Sequence, residues 1–127
     1  MLKKCTIESI TLKDLVSFTD RKSGEEVSTI TCVVYAGDYE LLLDFNKGTL
    51  GYLLRNTLDR RDRWQAQILA DFYDPASADI KQLQKDIDNV MLPKLKDVAV
   101  VVSVNHEDEA TGLMSYDFAE KQGFEID

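Results

Sequence analysis

The stretch TITCVVYAGDYELLLDF, residues 29–45, constrains the fold more than any other part of the chain. Apolar residues alternate along two runs that meet at Ala36-Gly37-Asp38, with a tyrosine on each side of the turn. Val27, Thr29, Thr31, Val33 and Tyr35 share one parity; Ile30, Cys32, Val34 and Ala36 share the other. After the turn, Tyr39, Leu41, Leu43 and Phe45 alternate again. Two period-two runs around a glycine-containing turn predict a β-hairpin, the second and third strands of the chain.

The remaining segments fall around that hairpin. Residues 2–18 alternate too, but the phase slips: Cys5 and Ile7 take one parity, Ile10 and Leu12 the other, which predicts a bulge or bend near Glu8-Ser9. DRKSGEE is a polar loop around Gly24. Leu50, Leu53, Leu54 and Leu58 then recur at helical spacing after a start at Lys47-Gly48-Thr49. In DRRDRWQAQILADFYD, Trp64, Ile68 and Phe72 fit a helix stripe, while Trp64, Ala66, Ile68, Ala70 and Phe72 fit a strand; Gln, Ala, Leu and Arg favour helix, with Trp64 in the core. Asp74-Pro75 is a break. A further helix carries Ile80, Leu83, Ile87, Val90 and Met91 on one stripe, capped by Ser77 or Asp79 and ended by Pro93. VAVVVSV, residues 98–104, is an apolar strand; NHEDEATG is an acidic turn; Met114, Tyr116 and Phe118 alternate along a last strand. The end, EKQGFEID, is too polar to place and is expected as a short acidic tail over residues 119–127.

The order is three strands, a helical region, then two strands. That is the order of an OB-fold, a partly open five-stranded β-barrel whose second and third strands often face an oligonucleotide. The expected fold is therefore mainly β, OB-fold-like, with a helical insertion over residues 47–93 between strands three and four. A chain of 127 residues, 44% apolar and 30% charged, suits one globular domain. No window approaches the roughly 18 to 20 apolar residues of a membrane helix, and the start lacks an apolar leader core, so a cytoplasmic protein is expected, in the host if phage-encoded. Cys5 and Cys32 read as reduced strand residues. The net charge of −8 is uneven: residues 1–64 carry ten basic and ten acidic groups, residues 65–127 five and thirteen.

Catalytic constellations are missing from the sequence. His106 is the only histidine, in an acidic turn, and the neighbouring Glu107, Asp108 and Glu109 would point apart. There is no nucleophile elbow, P-loop, dinucleotide fingerprint, CxxC or HExxH. Neither an enzyme, a metal nor a cofactor is expected. Binding of a single strand needs cations for phosphates and flat side chains for unstacked bases. The cations cluster at Arg21-Lys22 in the first loop, at Arg60, Arg61 and Arg63 beside Trp64, and at Lys3-Lys4 flanking strand one with Lys13. The flat residues are Tyr35 and Tyr39, which a projecting hairpin would bring near Arg21-Lys22. Each has a plainer reading: a tyrosine beside a turn with its ring over the core, and a self-neutralised helix end in Asp59-Arg60-Arg61-Asp62-Arg63. Residues 105–127 hold seven acidic groups and one lysine; they read as a solubilising tail, or as a mobile one that competes with nucleic acid or recruits a protein partner through Phe124 and Ile126.

SFTDRKSGEEVSTITCVVYAGDYELLLDF resembles the DNA-binding hairpin and following strand of the filamentous-phage single-stranded DNA-binding proteins of the gene V type, and VVSVNHEDEATGLMSYDF is similar to that family's last hairpin. The resemblance covers about residues 14–45 and 98–119. It implies an OB-fold that coats phage single strands as dimers or higher homo-oligomers, with Arg21 and Lys22 in the basic loop positions and Tyr39 as the tyrosine after the turn. Two features depart from the family: the 48 residues from Asn46 to Pro93 replace a short connection, and the loop that carries an aromatic tip is acidic here. The expected function is non-enzymatic, sequence-nonspecific binding of single-stranded DNA, or RNA, in phage or mobile-element replication. The alternative is an acidic protein-interaction adaptor or inhibitor, a phage regulatory or structural protein.

Overall fold

The computed structural model describes all residues, 1–127. Five strands, β1 (Leu2–Thr19), β2 (Glu26–Ala36), β3 (Tyr39–Asp44), β4 (Ala99–Val104) and β5 (Ala110–Ser115), form one antiparallel sheet in the order β3-β2-β1-β4-β5. The sheet curls into a half-barrel, so that β3 and β5 approach each other without a hydrogen-bonded ladder. β1 holds the two halves together by changing partner along its length. Leu2–Thr6 pair with Ser103–Ala99, and from Ile7 onward the strand pairs with β2. The change coincides with a register shift between Ile7 and Ser9, where the slip of apolar parity places the bulge. A second shift, between Leu12 and Leu15, has no counterpart in the apolar pattern; there the Asp14 N–H donates to Thr31 Oγ1 at 3.2 Å.

Between β3 and β4 lie α1 (Gly48–Arg55), α2 (Arg63–Tyr73), a 3₁₀ turn (Pro75–Ser77), α3 (Ile80–Asp86), a π-helical turn (Ile87–Met91) and α4 (Leu92–Leu95). Asp62 caps α2 by accepting from the Trp64 and Gln65 amides, which settles residues 63–73 as helix. Asp79, not Ser77, caps α3. Ile30, Cys32 and Val34 from the sheet and Phe45 just beyond β3 close against Leu54, Phe72, Ile87 and Met91 from the helices, all fully buried, and the Phe45 and Phe72 rings meet edge to face at 5.2 Å. Asn46 joins the layers. It accepts from the Thr29 hydroxyl, and its amide donates to the Ser28 and Phe72 carbonyls at 3.3 Å. Gly51 makes room for it: a Cβ there would stand 2.6 Å from the Asn46 carbonyl carbon.

Four expectations are corrected. Trp64 lies outside the core at 56% exposure, because the Asp62 cap sets it on the solvent side of the first turn of α2. Pro93 does not end its helix: the wide turn, in which the Leu92 amide donates to the Ile87 carbonyl, shifts the ladder so that the proline, lacking an N–H, enters the first turn of α4. The last strand stops at Ser115, whose hydroxyl accepts from the Phe118 amide and caps α5 (Tyr116–Lys121), so Tyr116 and Phe118 are helical. The acidic end is folded back onto the sheet instead of trailing free: the Asp127 amide donates to the Leu2 carbonyl at 2.9 Å, the Lys4 amide to the Asp127 carbonyl at 3.3 Å, and α5 packs on β4 and β5 with Ala119 and Val101 buried.

Candidate nucleic-acid interface

Strand alternation sends the two hairpin tyrosines to opposite faces. Tyr35 stands on the outer wall opposite Glu40, is 43% exposed, and its hydroxyl donates to Glu40 Oε2 at 3.2 Å. That bond, with the carboxylate's charge, raises the Tyr35 pKa. Beside it on the same wall come the Val33–Leu42 pair, with Leu42 70% exposed, and then Thr31 opposite Asp44. The wall is an apolar strip with a carboxylate at each end of its β3 side. Tyr39 pairs with buried Ala36, so its ring covers the inner face at the barrel mouth. Its hydroxyl donates to Asp108 Oδ1 at 3.1 Å, across to the β4–β5 loop, where Asp108 holds a φ of 61°. Partial burial, then that bond, raises the Tyr39 pKa. In the same loop, Glu109 is raised by its hydrogen bond to Glu107. The two tyrosines therefore do not form one stacking platform.

Arg21 and Lys22 occupy the tip of the β1–β2 hairpin. Asp20 shapes the tip: its carboxylate accepts from the Lys22 amide at 2.9 Å and its carbonyl from the Gly24 amide at 2.8 Å, with Gly24 at a φ of 70°. Both cations are exposed and neither stands within ion-pair distance of a carboxylate. The tip lies at the far end of β2 from Tyr35, roughly 30 Å away along the strand from Glu26, so the hairpin does not bring either tyrosine to Arg21-Lys22. Lys3 and Lys4 sit at the opposite end of β1, roughly 55 Å along an 18-residue strand. Both are engaged by the folded-back end: Lys3 Nζ meets Asp127 Oδ2 at 3.3 Å, and Lys4 Nζ lies 4.8 Å from the Tyr116 ring centre.

The arginine-rich turn forms a third, separate group. Arg61 grips Asp59 with Nε and Nη2 at 3.2 and 3.3 Å, and those bonds lower the Asp59 pKa. Arg60 is exposed and Arg63 opens α2. It is the other end of α2, at Phe72, that touches the β1–β2 hairpin through Asn46, about 15 Å of helix away. The nine predicted residues are thus spread over five places and do not line one groove. Two residues that the sequence reading passes over join the hairpin instead: Lys47 Nζ lies 3.8 Å from the ring centre of Phe18, which is 39% exposed. Comparison with protein-family models, with curated proteins and with solved structures finds no match.

Proposed function

We propose that the protein is a non-enzymatic, sequence-nonspecific single-stranded DNA-binding protein, serving replication of phage or mobile-element DNA, on an OB-fold with its helices inserted between β3 and β4. The uncovered strip on the outer β2–β3 wall, Tyr35 with Val33 and Leu42, carries this reading. A flat ring beside exposed apolar side chains offers unstacked bases a surface that tolerates any of the four. Glu40 and Asp44 repel phosphate, so the nucleic-acid backbone runs on the β1 side of the wall and along the ribbon toward Lys13, Arg21 and Lys22. Lys3, Lys4 and Arg61 stand apart, already engaged by Asp127, Tyr116 and Asp59.

Fluorescence anisotropy on labelled oligo-dT over a salt series tests it. The expected result is binding at low salt that weakens as salt rises and is lost in large part in Tyr35→Ala. No binding at low salt, or binding indifferent to salt, refutes it. An acidic protein-interaction module is the second reading, favoured by Phe118 and Phe124, exposed and edge to face at 6.3 Å on the acidic end. A stoichiometric protein partner retained from nuclease-treated lysate, with no binding to oligo-dT, selects it.

A further inference from the structure

The two edges of β1 are treated differently along its length. On the side away from β2, Leu2–Thr6 are covered by β4. At Ile10 and Leu12 the side chain of Gln84 replaces a strand, donating to the Ile10 carbonyl and accepting from the Leu12 amide, both at 2.8 Å. Beyond that nothing pairs. The Asp14 amide reaches Thr31 on β2 and the Asp20 amide reaches Glu25, so by alternation Val16 and Phe18 also turn their backbone groups to β2, while Leu15, Ser17 and Thr19 turn theirs to the open edge. No hydrogen bond outside the β1–β2 ladder reaches the backbone of those three. The same stretch exposes apolar side chains, Leu15 at 43%, Val16 at 42% and Phe18 at 39%. An open, apolar strand edge is a template for another strand.

We propose that a second copy of this chain adds to the sheet along this edge, its residues 13–19 antiparallel to the same residues of the first. The choice of occupant follows from self-complementarity. A twofold axis normal to the sheet returns each outward N–H to an outward C=O of the other copy. Centred on Val16, it sets Val16 against Val16, Leu15 against Ser17, and Lys13 against Thr19, with no like charges opposed. Slipped so that Ser17 faces Ser17, it would oppose Asp14 to Asp20 and Lys13 to Arg21, which is unfavourable. Moved back so that Leu15 faces Leu15, the pairing shortens, because α3 and Gln84 close the edge at Leu12. The inference stands whether or not the chain binds nucleic acid.

Sedimentation velocity across a concentration series, without nucleic acid, reads the association. The expected result is a reversible dimer. Val16→Lys raises its dissociation constant by roughly tenfold or more, through the lost pair and two ammonium groups set face to face. Ser17→Pro removes an outward N–H while leaving the β1–β2 backbone bonds in place, losing there only the Ser17–Ser28 hydroxyl contact, and has the same effect, while Leu42→Lys, more exposed still but on the β3 wall, leaves the dimer intact. In a Cys5→Ser background, Val16→Cys cross-links to itself on oxidation, since directly opposed residues of a non-hydrogen-bonded pair lie within disulfide reach. A wild-type chain that is monomeric at every concentration overturns the proposal. So does a dimer that Val16→Lys and Ser17→Pro both leave unchanged, or a Val16→Cys chain that forms no disulfide dimer.

Discussion

Gln84 is expected to contribute stability far beyond that of an ordinary half-exposed helix residue. Its amide nitrogen donates to the Ile10 carbonyl at 2.8 Å and to Asp88 at 3.0 Å, and its amide oxygen accepts from the Leu12 amide at 2.8 Å. Two backbone groups of β1 depend on it. Each such bond contributes about 1 kcal/mol net. The groove beside it, lined by Ser9, Ile10, Thr11 and Lys81, is open enough for water to reach the freed groups, so the cost does not climb to that of sealed, unpaired ones. Gln84→Ala should therefore lose about 2 kcal/mol, read in urea as a midpoint lower by about 1 M at an unchanged slope near 2 kcal/mol per M. Gln84→Glu separates the two bonds. At neutral pH the carboxylate still accepts from Leu12 but faces the Ile10 carbonyl with no proton to give, so it is also destabilised. As pH falls below about 4 the carboxyl regains its proton and can donate again, and the gap to the parent protein should narrow. A loss below about 0.5 kcal/mol in Gln84→Ala, or a Glu variant as stable as the parent at neutral pH, would refute the idea that this side chain stands in for a strand.

Three further outcomes follow from the described geometry. If Arg21 and Lys22 each meet a phosphate, the double alanine variant reduces the slope of log K against log salt by about 1.4, two contacts at about 0.7 each on a single strand, whereas Arg61→Ala, already held by Asp59, changes it less. Gly51→Ala must move α1 or Asn46, whose carbonyl oxygen would lie 2.8 Å from the new Cβ, and should cost roughly 1–3 kcal/mol in thermal or urea unfolding. The Cys32 thiol, fully buried and pushed up to about 12 by burial and by Asp44, should resist a thiol reagent in the folded protein at pH 8 and react only after unfolding. With the sign worked through, the unfolded chain loses this proton near pH 8.5 and the folded chain does not, so Cys32 lowers stability as pH climbs from there toward 12.

What could be read from the sequence was whatever depends on neighbours along the chain. Gly37 marks the hairpin turn, and the parity slip between Ile7 and Ile10 marks the bulge, because both are local requirements of a pleated strand. The stripe of Leu83, Ile87, Val90 and Met91 was visible for the same reason, although Ile80, which the spacing adds to it, is exposed in the first turn of α3. The misses depend on distant partners. The second irregularity in β1 needs Thr31, seventeen residues away from Asp14. The passage through Pro93 needs a π turn that apolar spacing does not signal. The helix at residues 116–121 reads as a strand because Met114, Tyr116 and Phe118 alternate; only the Ser115 cap distinguishes the two. The candidate site fared worse than the fold. Alternation did separate Tyr35 from the inner face, but composition treats cations as one pool. The pairing of Lys3 with Asp127, 124 residues later, is beyond any local pattern.

The partner change along β1 also orders events in time. Its second half and β2 form a hairpin from residues close in sequence, which can close within microseconds of leaving the unfolded state. Its first half pairs with β4, and the Met1 ammonium bonds the Val104 carbonyl across 103 residues. That contact closes a loop spanning most of the chain, so it carries the largest entropic cost of any strand pairing here. During synthesis, Leu2–Thr6 must wait for β4, made almost a hundred residues later, before they are covered, and until then that half of β1 stays a bare β-strand open to its surroundings.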